Sequence, residues 1–256
     1  MPAVAALTEG RAALGALRRA LPRGSARVVA CRSLDQVRQV VARRLFDAIV
    51  ISPRLASPSA LSALAEEFPA IPIICYAAFR PDDGELLHAC AAGLGVPIAV
   101  EGVDDAVIGA IVAAASATAL RRRAMADAPR LLRLKSELQR QVWEMVLVAG
   151  HAPLRTEMLA KKLRMSREHL SREFAMEAAP NLKRVIDLAR VATAAQLLQN
   201  PGISSATAAR MLGFASSSHL GTAARRVAGV TTTGLGALGP RGVLGAFVKG
   251  RTRSRV

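Results

Sequence analysis

The chain has 256 residues, a formal net charge of +16, 52% hydrophobic residues and only 3% aromatic ones. That length holds one large or two ordinary domains, and the scarcity of aromatics excludes an extended β-sandwich in favour of helices packed through small side chains. The charge is uneven: residues 1–120 carry 11 Arg against 11 Asp plus Glu, residues 121–256 carry 24 Lys plus Arg against 8 acids, and no acid follows Asp187. Cations gathered without anions gain affinity for duplex phosphates by counterion release, so the pattern reads as a neutral control module joined to a nucleic-acid-binding one. Cys31, Cys75 and Cys90 are too few for a disulfide framework and have no neighbour at metal-ligand spacing. They are expected to be reduced core thiols, with no metal and no cofactor. Glu9, Arg11, Arg18 and Arg19 interrupt any apolar run near the N-terminus, so no secretion signal is read and a cytoplasmic location is expected.

In chain order, a weak first strand at 2–7 precedes a helix near 11–21. Strands are expected at 26–31 (ARVVAC), 46–52 (FDAIVIS), 71–76 (IPIICY) and 96–100 (VPIAV), all read as buried. Helices are expected between them at 34–45, 58–68 and 83–93, followed by one at 104–119. In that last helix Val107, Ile108, Ile111, Val112 and Ala115 share a face, and Asp104 and Asp105 suit its N-terminus. Strand–helix alternation implies a doubly wound α/β domain around a parallel sheet. The uncharged run 106–120 rises only ~22 Å as a helix, short of the roughly 30 Å hydrocarbon layer, and is read as a packed core helix rather than a membrane span.

FDAIVISPRL and PIICYAA resemble the third and fourth strands of the receiver domain of response regulators. In that family a carboxylate at the end of the third strand accepts the phosphoryl group; the matching position here is Ser52. The family's Ser or Thr on the fourth strand resembles Ala77, and its Lys on the fifth resembles Glu101. Phosphotransfer needs a carboxylate nucleophile, a divalent ion and a cation for the new phosphate. The resemblance therefore implies a pseudo-receiver over 1–120 that serves dimerisation or senses something other than phosphate.

After an expected linker at 121–130, residues 131–150 have helical period, with Leu132, Leu138, Val142, Met145 and Val146 as core positions and Trp143 as the only tryptophan. In LRTEMLAKKLRMSREHLSREF (154–174), Leu159, Ala160 and Leu163 line a short helix, Arg164 and Met165 turn the chain, and Ser166 caps a second helix anchored by Leu170 and Phe174. A second pattern, ISSATAARMLGFASSSHLGTAARRVAGV (203–230), packs through Ala209, turns at Gly213 and Phe214, and offers a second helix at 216–227. Between them, Val185, Leu188, Val191, Ala195 and Leu198 mark a connecting helix at 181–199.

With MLAKKLRMSREHLSREF, RVATAAQLL, ARMLGFASSSHL and RRVAGV, residues 131–235 resemble the paired helix–turn–helix DNA-binding domain of the AraC/XylS family of transcription regulators. The resemblance implies a seven-helix, all-α domain whose two recognition helices enter successive major grooves. By position, Arg167, Glu168, Ser171 and Arg172 are the groove-facing candidates of the first helix, with His169 beside them. Ser216, Ser217 and Ser218 could hold a backbone phosphate at a helix N-terminus, and Arg225 and Arg226 are read as phosphate contacts. The second motif departs from the family: Ala208, Ala224 and Ala228 stand at large apolar anchors, Thr222 replaces the usual Arg, and Thr232 and Leu235 replace a closing Pro and Tyr. Truncating a core aromatic to Ala costs on the order of 3–5 kcal/mol unless the packing adapts, so this motif is expected to be marginal or to touch phosphate only.

An enzyme is the main rival class. GxGxxG occurs at 234–239, but a dinucleotide site needs a preceding strand and a following acid, and neither is read; the segment is expected to be a flexible exit leading into a disordered, basic, Gly-rich tail at 236–256. His88, His151, His169 and His219 are scattered, and no GxSxG or Walker loop occurs, so no catalytic residue is assigned. Two other rivals are a phosphorylated response regulator using Asp47 or Asp35, and a non-specific architectural DNA binder. Asp47 lies about 17 Å from the far end of its strand at ~3.3 Å per residue. The partners expected are double-stranded DNA and a second copy of the chain, with an effector or RNA polymerase as further candidates and no membrane.

Overall fold

The computed structural model describes residues 3–21, 27–149 and 155–253. They divide into two compact units, one holding the residues up to Leu120 with the short stretch Asn200–Ile203, the other holding the rest from Arg121 onward. Pro2, Ala26, Gly150, His151, Leu154, Ser254 and Arg255, read above as strand, helix, motif or tail positions, lie outside the described residues.

The first unit is built on five parallel strands, β1 (Ala3–Leu7), β2 (Arg27–Ala30), β3 (Ala48–Ile51), β4 (Ile73–Ala77) and β5 (Ile98–Val100), in the order β2-β1-β3-β4-β5. β3 and β4 are buried along their whole length, as the β-branched runs AIVI and IICYA require of a parallel sheet covered on both faces. The sheet is flanked by α1 (Arg11–Ala20), α2 (Leu34–Arg43), α3 (Pro58–Glu67), α4 (Gly84–His88, continued by a π-helical turn) and α5 (Ile108–Ala115). Ser33 and Ser57 cap α2 and α3 by accepting the Gln36 and Ala60 N–H groups. Leu17, Val50, Ile74, Tyr76, Ile108 and Val112 meet in one core.

Two expectations are corrected in this unit. β2 is not a buried strand: it is a partly exposed edge, paired on one side only. The helix expected at 104–119 starts later and breaks. The Asp104 carboxylate accepts the Val100 N–H at 2.7 Å and Asp105 accepts the Gly102 N–H at 2.8 Å, which folds that stretch into turns instead of a first helical turn. Ser116 then leaves helical geometry (ψ 155°), and α6 (Ala117–Ala124) begins afresh where the Asp47 carbonyl takes the Ala117 N–H at 2.7 Å. The Asp47 carboxylate adds bonds from the Thr118 hydroxyl (2.6 Å) and N–H (3.2 Å). No helix among the described residues is long and apolar enough to cross a membrane.

The second unit is helical. Its residues 121–130, expected as a linker, are instead largely helical, through the end of α6 and into α7 (Ala128–Leu131), and they carry core positions: Arg121, Met125 and Ala128 are buried. The Arg121 guanidinium donates to the Leu147 carbonyl (3.1 and 3.3 Å) and to Gln196 Oε1 (2.8 Å), which satisfies a charge that burial would otherwise make costly. The helix expected from residue 131 starts only at α8 (Glu137–Val148), because Ser136 and Gln139 form a reciprocal capping box there. The buried Gln139 amide also donates to the Phe174 and Met176 carbonyls (3.0 and 3.2 Å). The remaining helices are α9 (Thr156–Leu163), α10 (Arg167–Phe174), α11 (Leu182–Leu197), α12 (Ser205–Met211), α13 (Ser217–Ala228) and α14 (Thr232–Arg253).

α14 overturns the expected flexible exit and disordered tail. Its Leu235, Val243, Leu244 and Phe247 are buried, and it packs on α11 and α13. The GxGxxG glycines have packing roles. A Cβ on Gly236 would lie 2.5 Å from the Leu198 carbonyl oxygen, so only glycine lets the two backbones approach. Gly239 takes a left-handed φ of 60°, which kinks α14 just before Pro240.

Candidate nucleic-acid interface

The first helix–turn–helix closes on its own backbone. α9 ends where Arg164 takes a left-handed conformation (φ 54°, ψ 40°), the Met165 N–H returns to the Ala160 carbonyl at 3.0 Å, and Ser166 Oγ accepts the His169 N–H at 3.1 Å. Leu159 and Ala160 of α9 and Leu170 and Phe174 of α10 are buried. With Leu170 and Phe174 turned inward at i, i+4, the other face of α10 is left outward: Arg167, Glu168, His169 and Arg172 are exposed and Ser171 is half-buried. Arg167 pairs with Glu157 at 3.2 Å, and Arg172 reaches the His169 ring at 3.3 Å. Side chains of these types, exposed on one face of a short helix, can bond base edges or phosphates.

The second motif forms as well. Ser216 Oγ accepts the His219 N–H at 3.1 Å, and Ser217, Ser218, Thr222, Arg225 and Arg226 are exposed along α13. Thr222 spends its hydroxyl on the Ser218 carbonyl (3.1 Å), and Arg226 pairs with Asp187 of α11 at 2.8 Å. Arg225 has no ion pair among the described residues. The inner face carries Ala208, Ala209, Ala223, Ala224 and Ala228, all buried. The turn is held from α11: the Arg190 guanidinium stacks 4.0 Å over the Phe214 ring and donates to the Leu212 carbonyl at 2.9 Å.

Asp187 connects the two motifs. It lines a cleft of about 440 Å³ whose other walls include Arg167 and Ser171 of α10, while its carboxylate holds Arg226 of α13. Of the candidate side chains, Arg167 and Ser171 line the cleft, and Arg226 meets it only through its ion pair with Asp187. Sequence reasoning missed Arg155, Lys183 and Arg190, which also line this cleft. Arg190 was visible only as part of the connecting helix.

At the carboxyl edge of the sheet the charged groups serve one another. Ser52 is buried at the end of β3 and its hydroxyl donates to Glu9, which follows β1. The Arg54 guanidinium lies between Glu9 (3.6 Å) and Asp83, which it contacts through two nitrogens. Hydrogen bonding to Arg54 holds the Asp83 carboxyl below its ordinary value. Burial raises the Glu101 carboxyl beyond β5, with Asp105 and Glu9 adding to it. Asp47 sits at the opposite end of β3, buried and bonded to Thr118, and Asp35 is an exposed residue of the first turn of α2 paired with Arg38. Among the described residues no group of three or more His, Cys, Asp or Glu side chains is placed to hold a metal ion.

Residues 159–235 match the family described as a helix-turn-helix domain. No curated protein matches the chain. Among solved structures, full-length FixJ from B. japonicum is similar over 88% of this chain and 96% of its own, at 16% identity and a TM-score of 0.39. The family match spans α10, α11, α12, α13 and the start of α14.

Proposed function

We propose that the chain is a sequence-specific, DNA-binding transcription regulator of the AraC type, with a receiver-like first unit that works without phosphotransfer. The observation that carries this reading is the exposed face of α10, where Arg167, Ser171 and Arg172 stand opposite a buried Leu170–Phe174 seam within a segment that matches a helix-turn-helix family. Phosphate contacts position such a domain and base-edge contacts specify its site, and α10 offers donors for both. Selection of bound sequences from a random duplex pool tests it: a recurring motif supports sequence reading. Equal recovery of all sequences, with steep salt dependence, would instead indicate an architectural binder.

The pseudo-receiver part rests on the sheet edge. Ser52 offers no carboxylate nucleophile but donates its hydroxyl to Glu9, and Arg54 is shared as an ion-pair partner between Glu9 and Asp83. Treatment with acetyl phosphate and magnesium is expected to leave the intact mass unchanged. A gain of one phosphoryl group that is lost in Asp47→Asn or Asp35→Asn would establish the rival response-regulator reading. A homodimer is part of the proposal and is checked by light scattering of the free protein.

A further inference from the structure

The cleft between α9, α10 and the first half of α11 has a composition that DNA reading alone does not require. It is about 440 Å³, within the range of sites that enclose small molecules, and Leu182 and Ile186 give it an apolar floor. Its two acids are both engaged, Glu157 by Arg167 at 3.2 Å and Asp187 by Arg226 at 2.8 Å. Arg155 and Lys183 form no ion pair among the described residues, while the Arg190 guanidinium is held by the Leu212 carbonyl at 2.9 Å and the Phe214 ring at 4.0 Å. The Nε–H of the half-buried Arg190 has no hydrogen-bond acceptor among the described residues. The first turns of α9 and α11 both contribute to the lining, and each adds the partial positive charge of a helix N-terminus.

We infer that this cleft is a phosphate-binding site that seats one phosphate group between Arg155, Lys183 and the N-terminal turn of α11. The group can come from a free phosphorylated small molecule or from the DNA backbone, and in the first case its occupancy would compete with DNA, because Arg167 and Ser171 belong both to the cleft and to the α10 face. That competition rests on the DNA-binding reading above; the site itself does not.

The test uses the full chain and the double variant Arg155→Ala/Lys183→Ala, whose two positions are exposed, so that the fold should be kept; circular dichroism checks this. Pyrophosphate is titrated calorimetrically at constant ionic strength without DNA, and affinity for a selected duplex is measured separately across salt concentrations. Saturable pyrophosphate binding by the wild type, weakened at least tenfold in the variant and displacing duplex, supports the site with a free phosphate as its source. No pyrophosphate binding, but a fall of about one in the slope of log affinity against log salt for the variant, supports it with the DNA backbone as the source. Absence of pyrophosphate binding together with an unchanged salt slope overturns the site, even where duplex binding shows the DNA reading to be right. Pyrophosphate bound by a protein that binds no duplex would keep the site and remove the DNA reading.

Discussion

The two helix–turn–helix motifs of this chain solve the same packing problem by different means. The first keeps its bulk inside: Leu159, Leu170 and Phe174 fill the crossing of α9 and α10, and Gln139 ties the end of α10 to α8. The second lines its inner face with alanines beside Leu212, Phe214, Leu220 and Val227, and its α13, like α11, is packed by α14, whose Leu235, Val243, Leu244 and Phe247 are buried. The helix that carries two of the expected truncated anchors, Ala224 and Ala228, is thus packed by a further helix that the motif alone does not announce.

The comparison can be broken first at Phe247, which is buried and has Arg184 5.2 Å above its ring. Phe247→Ala is expected to destabilise the helical unit by about 3–5 kcal/mol, as loss of a core aromatic does. Denaturant unfolding followed by the fluorescence of Trp143, the chain's only tryptophan and buried in this unit, measures it; a loss well below 1 kcal/mol would show that α14 is not part of the helical unit's core. A smaller effect, about 1–3 kcal/mol, is expected of Gly236→Ala, since the new methyl group must push α14 away from the Leu198 carbonyl. The same fluorescence titration reads it, and an unchanged midpoint would mean that the close approach is not needed.

On the DNA side the contrast is finer. The second recognition helix has its Thr222 hydroxyl and Arg226 guanidinium bonded within the protein, whereas Arg225 is exposed and forms no ion pair among the described residues. Arg225→Ala is therefore expected to weaken all duplexes alike and to lower the salt slope by about one. Loss confined to one sequence, in a salt series of fluorescence anisotropy titrations, would assign base reading to the second motif as well.

Much of the architecture was legible because it is locally encoded. The runs AIVI and IICYA can hardly be anything but buried strands, and the Ser166, Leu170, Phe174 spacing carries both the cap and the inward face of α10. What escaped depends on distant partners. Six glycines and a proline between residues 232 and 253 argue locally for a loop, yet burial against α11 and α13 overrides that propensity. The break at Ser116 is fixed by Asp47, far away in the sequence. Of the candidate interface, the α10 residues could be named from the motif. Arg155, Lys183 and Arg190 come from a helix start and two turns of another helix, and no sequence spacing announces that they share a cleft.

The central claim is that α10 reads bases, and Arg172 tests it most directly. On a duplex recovered from the random pool, Arg172→Ala should lose about 1–3 kcal/mol of discrimination against a scrambled duplex while its affinity for the scrambled duplex changes little. Equal losses on both duplexes, measured by anisotropy at one salt concentration, would contradict it.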